Sequence, residues 1–146
     1  MPLAVAEIIA GNVAILDGDM LIADPDVQNG DHGFIGKRPF LCIDANEEDC
    51  SWMLLTTQVN RKRLLLDKWK IPGSVQWMAQ PQYLHDARKI FRGPKTSFIG
   101  ASIGELPHNP HPRPKISDEG VSSVKAEIQK YQPTSALNSA RHWRNR

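Results

Sequence analysis

Apolar residues fall in short runs over the first hundred positions, separated by turn-forming residues. VAIL (13–16) and MLIA (20–23) flank Asp17-Gly18, a dipeptide that favours a tight hairpin, so the pattern predicts two paired strands. The next stretch, DPDVQNGDHGFIGKR, is read as a long loop, because Pro25, Gly30, Gly33 and Gly36 interrupt any period. FLCI follows as a strand, with Pro39 at its first position, where a missing N–H is tolerated. ANEEDCS is a polar turn and WMLLTTQ another strand. RLLLD, the region around SVQWM, the short QYL and the alternating TSFIGASI are read as further strands.

The character changes at LPHNPHPRPK (106–115), where four prolines in ten residues impose an extended connector. Beyond it, Val121, Val124, Ile128 and Tyr131 recur at helical spacing. Ser117 stands as the N-cap, and Asp118 and Glu119 favour the first turn, so a helix is expected over about 117–131. The expected class is mainly β with α: many short strands forming a small barrel or strongly bent sheet, then one helix. At 146 residues the chain fits one domain, taken as 1–131, with 132–146 as a loose basic tail.

Composition narrows the setting. No window approaches the ~18 consecutive apolar residues of a membrane span. The N-terminal stretch lacks a basic segment and carries Glu7, so no secretory signal is expected. Cys42 and Cys50 are read as reduced thiols of a cytoplasmic protein, with Cys42 a small core residue. Net charge is only +2, but residues 1–60 hold ten acids against Lys37 and Arg38, whereas residues 61–146 hold sixteen bases against six acids. That polarity suits a protein meeting a polyanion on one face, unless the two halves interleave and cancel.

Several chemistries are excluded. Asp24 and Asp26 begin a calcium-like spacing, but the sixth position is Asn29 and the twelfth Ile35, so no such calcium site forms. His108 and His111 have no cysteine or acid spaced to complete a zinc site and are read as exposed loop residues. No metal or cofactor is expected. There is no Gly-rich phosphate loop, no G-x-S-x-G elbow and no CxxC pair. RNA cleavage survives this exclusion, since the nucleophile is the substrate's own 2′-hydroxyl. The protein then supplies only a base, an acid and a cation for the developing phosphorane charge. Arg38, Thr56 or Thr57, His32, His85, Asp86 and Arg88 are the right kinds of side chain. Basic groups including Arg61, Arg63, Lys68, Arg88 and Lys89 alternate with Trp69, Trp77, Tyr83 and Phe91, as single-stranded RNA requires.

The order of motifs carries a resemblance. GDMLIAD (18–24), HGFIGKRPFLCI (32–43), WMLLTTQ (52–58), YLHDARKIF (83–91), FIGASIGEL (98–106) and ISDEGVSSVKAEI (116–128) follow one another. The set is similar to the PemK/MazF-type toxins of bacterial toxin–antitoxin systems. Their pattern is a Gly-Asp strand opening, an Arg-Pro before a strand, a strand ending in Thr-x-Gln, an Asp-x-x-Arg segment, a final strand and a helix. The resemblance implies a small SH3-like barrel with a C-terminal helix, usually a homodimer. It implies a metal-independent endoribonuclease that leaves a 2′,3′-cyclic phosphate and is neutralised by an antitoxin. Arg38 matches the Arg-Pro arginine, Thr56 the Thr-x-Gln threonine, and His32 a histidine found in some members five residues ahead of the position of Lys37. HDAR (85–88) fits Asp-x-x-Arg only with His85 in place of the acid and Asp86 one place later. The expected catalytic set is therefore Arg38, Thr56, His32, His85 and Asp86, with Lys37, Thr57, Arg61, Arg63, Lys68, Arg88 and Lys89 binding RNA. The alternative is a non-catalytic small barrel that binds RNA or a protein partner.

Overall fold

A computed structural model describes residues 3–29, 33–72, 75–102 and 113–131. The chain is mixed α/β, with a mostly antiparallel sheet and four α-helices among the described residues. The strands are β1 (Val13–Asp17), β2 (Lys37–Ala45), β3 (Asp49–Thr56), β4 (Lys70–Ile71), β5 (Tyr83–Leu84), β6 (Phe91–Pro94) and β7 (Lys115–Ile116). The helices are α1 (Gly18–Ala23), α2 (Val75–Ala79), α3 (Lys95–Ala101) and α4 (Asp118–Tyr131).

β2 and β3 are the centre, and their side chains alternate between two cores. Phe40, Cys42, Cys50, Trp52 and Leu54 enter one; Leu41, Ile43, Met53 and Leu55 enter the other. A sheet covered on both faces needs apolar residues at every position, which is why these strands read as unbroken apolar runs. The first core is roofed by α1, β6 and α3: Trp52 stacks on Phe98 with centroids 6.0 Å apart, and Phe40 meets Phe91 edge-on at 5.3 Å. The second is closed by Trp69, Trp77 and the Val121, Val124 and Ile128 face of α4.

Helix α4 forms where its periodicity and cap signals put it. Ser117 Oγ accepts the Gly120 N–H at 3.2 Å, and the Ser117 N–H ties the cap to Trp69 O at 2.9 Å. Three expected strands are instead helices. MLIA lies in α1 because the Asp17 carboxylate accepts the Asp19 and Met20 N–H groups, capping a helix rather than closing a hairpin. Gly18 sits there for space: a Cβ would lie 2.6 Å from Ile35 Cγ2. SVQWM gives α2, whose Trp77 packs into the second core, and TSFIGASI gives α3, with Phe98 and Ala101 buried and Ser102 closing its end. RLLLD contributes only a bridge from Leu65 to Tyr83 before a 3-10 turn at Asp67–Trp69.

β1, β2 and β3 are consecutive antiparallel neighbours, and β3 gives its far edge to β6 over Asp49–Trp52 and to β5 over Leu55–Thr56. β4 and β7 form a separate pair, linked to the start of β1 by the Asn12–Lys115 bridge. The strands do not close into a barrel among the described residues. Arg113, at the end of the proline-rich connector, is buried in a bidentate ion pair with Glu7, its Nε 2.7 Å from Oε2. Most of that connector, His32, His108, His111 and the basic tail lie outside the described residues.

Gly120 brings α4 against Trp69: a Cβ there would lie 2.6 Å from Trp69 Cβ and 3.0 Å from its Cγ. Alanine normally favours a helix over glycine by about 0.8–1 kcal/mol. Overpacking costs about 1–3 kcal/mol, and this clash is with a Cβ anchored to backbone, so it wins. Gly120→Ala should lower unfolding free energy in urea by about 1 kcal/mol, the overpacking cost less the propensity gain; an unchanged or raised midpoint would contradict this packing.

Candidate functional site

The site arises from a fork in the sheet. The β2–β3 ladder ends at Phe40–Leu54. Beyond that pair β2 stays with β1, through Ile15–Pro39 to Asp17–Lys37. β3 turns to β5, through Leu55–Leu84 and Thr56–Tyr83. A groove of about 520 Å³ opens between the diverging strands. Its walls include Arg38 and Pro39 from β2, Leu54 to Gln58 from the end of β3, and His85 and Lys89 from the segment after β5. Pro39 suits this position because it has no N–H to leave unpaired where the ladder stops.

The strand period places the chemistry. Arg38 and Thr56 each lie two residues beyond the Phe40–Leu54 pair, so they leave their strands on the same face. Thr56 Oγ1 accepts the Gln58 N–H at 3.2 Å, which leaves the hydroxyl proton to be donated into the groove. His85 is fixed through its main chain: its N–H donates to Leu54 O at 2.9 Å, and its carbonyl accepts Arg63 Nε at 3.1 Å. The opposite wall is the loop 33–36, clamped by Asp19, whose two oxygens accept the Ile35 and Gly36 N–H groups at 2.9 and 3.1 Å. Gly36 takes φ +75°, a backbone region that favours glycine. Phe34 projects from this wall with 92% of its surface exposed.

Among the described residues that line it, Arg38 and Lys89 are cationic and none is acidic, so this lining favours an anion. Burial pushes the His85 pKa below its ordinary value and the nearby Arg63 charge adds to the effect, against a smaller opposing influence from Asp86. The imidazole is therefore neutral at pH 7 and able to accept a proton. Burial would raise the Asp86 pKa, but hydrogen bonds and charge from Arg88 together hold it low. The Cys42 and Cys50 thiols, both buried, are pushed up to about 12 and about 11, chiefly by burial, so neither is a thiolate nucleophile at neutral pH.

The fork thus brings together Arg38, Thr56, Thr57, His85 and Lys89 from the expected set. Asp86, Arg88 and Arg63 lie around a second, smaller hollow that shares His85. Asp86 is engaged there by Arg88, whose Nε and Nη2 donate to its two oxygens at 3.0 and 3.1 Å. Lys37, Arg61 and Lys68 line neither groove; Lys68 lies over the Trp69 ring at 4.6 Å. Sequence reading passed over Phe34 and Gln58. An aromatic between two glycines in a polar loop was the available signal for the first, and the Thr-x-Gln ending of β3 for the second.

No cluster of three His, Cys, Asp or Glu side chains that could hold a metal ion occurs among the described residues, and no helix there is long and apolar enough to cross a membrane. Comparison with family models, curated proteins and solved structures finds no match for this chain. Its function has to be argued from the chemistry of the fork.

The His85 shift has a stability consequence. Between the lowered folded value and the ordinary value of 6.5, the unfolded chain binds more protons than the folded one. The His85 contribution is therefore full above the ordinary value and lost as pH falls through the folded one. The urea midpoint should fall on acidification from about pH 7 to about pH 5, and His85→Gln should flatten that slope. A slope identical in the two proteins would contradict the assigned environment.

Proposed function

We propose that the chain is a PemK/MazF-like endoribonuclease that binds single-stranded RNA at the sheet fork and cleaves it by 2′-hydroxyl attack. The observation that carries this reading is the convergence of Arg38, Thr56 and His85 on one groove that no carboxylate lines among the described residues. In this reading neutral His85 accepts the 2′-hydroxyl proton as the 2′-oxygen attacks phosphorus. The Arg38 guanidinium, too basic to act as an acid, stabilises the negative charge that grows on the phosphoryl oxygens. Thr56 donates its hydroxyl proton to one of those oxygens. The P–O5′ bond breaks, giving a 2′,3′-cyclic phosphate and a 5′-hydroxyl. His32 is the candidate, from sequence alone, for returning a proton to the 5′-oxygen. Phe34 offers a ring on which a neighbouring base can stack.

The remaining expectations join this proposal. An SH3-like arrangement is supported by the bridges Leu65–Tyr83 and Asn12–Lys115, which extend backbone pairing from β5 to the segment before β4 and from β7 to β1. Helix α3, where the resemblance expects the final strand, is a departure from that arrangement. A homodimer and an antitoxin with an acidic, disordered segment complementary to the fork complete the proposal. One observation favours the alternative of a groove that binds RNA without cutting it: Asp86, a candidate for proton transfer, is engaged by Arg88.

Arg38→Ala should reduce cleavage of mixed-sequence RNA by about 10²–10³-fold with its unfolding midpoint preserved. His85→Gln should reduce it by about 10²–10⁴-fold and abolish the acid limb of the pH–rate profile. RNA left intact by the wild-type protein would overturn the enzymatic reading. Cleavage unaffected by either substitution would place the chemistry elsewhere.

A further inference from the structure

The second hollow, of about 220 Å³, is lined by Asn60, Lys62, Arg63, Asp86, Arg88 and Tyr131, with His85 as the wall it shares with the fork. Its make-up differs from that of the fork. Lys62, Arg63 and Arg88 face one carboxylate, Asp86, which Arg88 neutralises through two hydrogen bonds. Arg63 forms the partition between the grooves. Its Nε donates to His85 O at 3.1 Å and its Nη1 to Gln58 O at 3.0 Å, and both of those residues also line the fork. Lys62 is exposed, and its position is set by Asn60, whose Oδ1 accepts the Lys62 N–H at 3.0 Å. Tyr131, at the last turn of α4, is 43% exposed and lines the hollow.

A hollow with spare positive charge and an accessible aromatic face suits one nucleotide: the cation meets a phosphate and the ring a base. Resting on the ribonuclease reading of the fork, we propose that this hollow is a flanking-nucleotide subsite for the same RNA strand. The chain crosses the His85–Arg63 partition, placing a phosphate against Lys62 and Arg63 and a base on Tyr131. Neither Lys62 nor Tyr131 takes part in the cleavage chemistry. The subsite lengthens the bound segment and adds affinity that short substrates cannot use.

The test is binding of uncleavable 2′-fluoro RNA, four against ten nucleotides long, by fluorescence anisotropy across a salt series. Wild-type protein should bind the ten-mer more tightly than the four-mer. Tyr131→Ala should weaken ten-mer binding by about tenfold, the scale of one stacked base, and leave the four-mer unchanged, with Tyr131→Phe restoring affinity. Lys62→Ala should lower the magnitude of the ten-mer's log–log salt slope by about 0.7, the loss of one phosphate contact on a single strand. If wild-type protein binds and cuts RNA but these variants keep its length dependence and salt slope, the subsite is wrong and the fork reading stands. Equal losses for both lengths would likewise overturn the subsite. If the wild-type protein binds neither oligonucleotide, the subsite and the ribonuclease reading fall together.

Discussion

The molecule is organised around the point at which β2 and β3 stop pairing. Up to Phe40–Leu54 the two strands share a ladder with apolar side chains on both faces. Beyond it each strand keeps only its outer partner: β1 for the Lys37 end of β2, and β5 for the Thr56 end of β3. These partners hold the far edges of the two strands, so the inner edges are left to border the groove. Arg38 and Thr56 stand on strand ends and are held by the sheet, facing the loop 33–36 that Asp19 clamps. His85 is held nearly as well, through main-chain bonds to Leu54 and Arg63.

Electrostatics follow from where the acids are used. Several carboxylates of the acid-rich first half are used inside the fold: Asp17 caps α1, Asp19 holds the amides of 35 and 36, and Glu7 pairs with Arg113 from the basic half. Asp67 and Asp86, in the second half, serve Lys70 and Arg88 in the same way. With these acids occupied and none lining the fork among the described residues, Arg38 and Lys89 set its sign although they come from opposite halves of the chain. In the proposed reading such a groove draws an anionic chain without specifying its sequence, and base selection would fall to groups such as Phe34 and Gln58.

Much of this was legible before any coordinates. β2, β3 and α4 stand out because they are long or strongly periodic, and Ser117 caps α4 as its sequence position suggests. α1, α2 and α3 were misread because a short apolar run does not declare its own period. Asp17-Gly18 is the instructive case, since aspartate before glycine serves a hairpin turn and a helix N-terminus equally well. Here Asp17 caps the helix, and Gly18 is needed for space against Ile35, seventeen residues away, which no local pattern reveals. The clustering of Arg38, Thr56 and His85 was expected from motif order, whereas the hollow beside Tyr131 was not, because it joins a helix end to the segments 60–63 and 85–88. Lys68, expected among the RNA-binding residues, lines neither hollow, and its ammonium lies over the neighbouring Trp69 ring.

If the fork cleaves RNA by the 2′-hydroxyl route, the evidence is written on the product. Single-stranded RNA incubated with the purified protein in the presence of a metal chelator should yield fragments ending in a 2′,3′-cyclic phosphate, identified by mass. A 2′-deoxy substitution at the cut nucleotide should abolish that cut. Fragments ending in a 3′-hydroxyl, cutting that persists at the deoxy position, or RNA that stays whole would contradict the account.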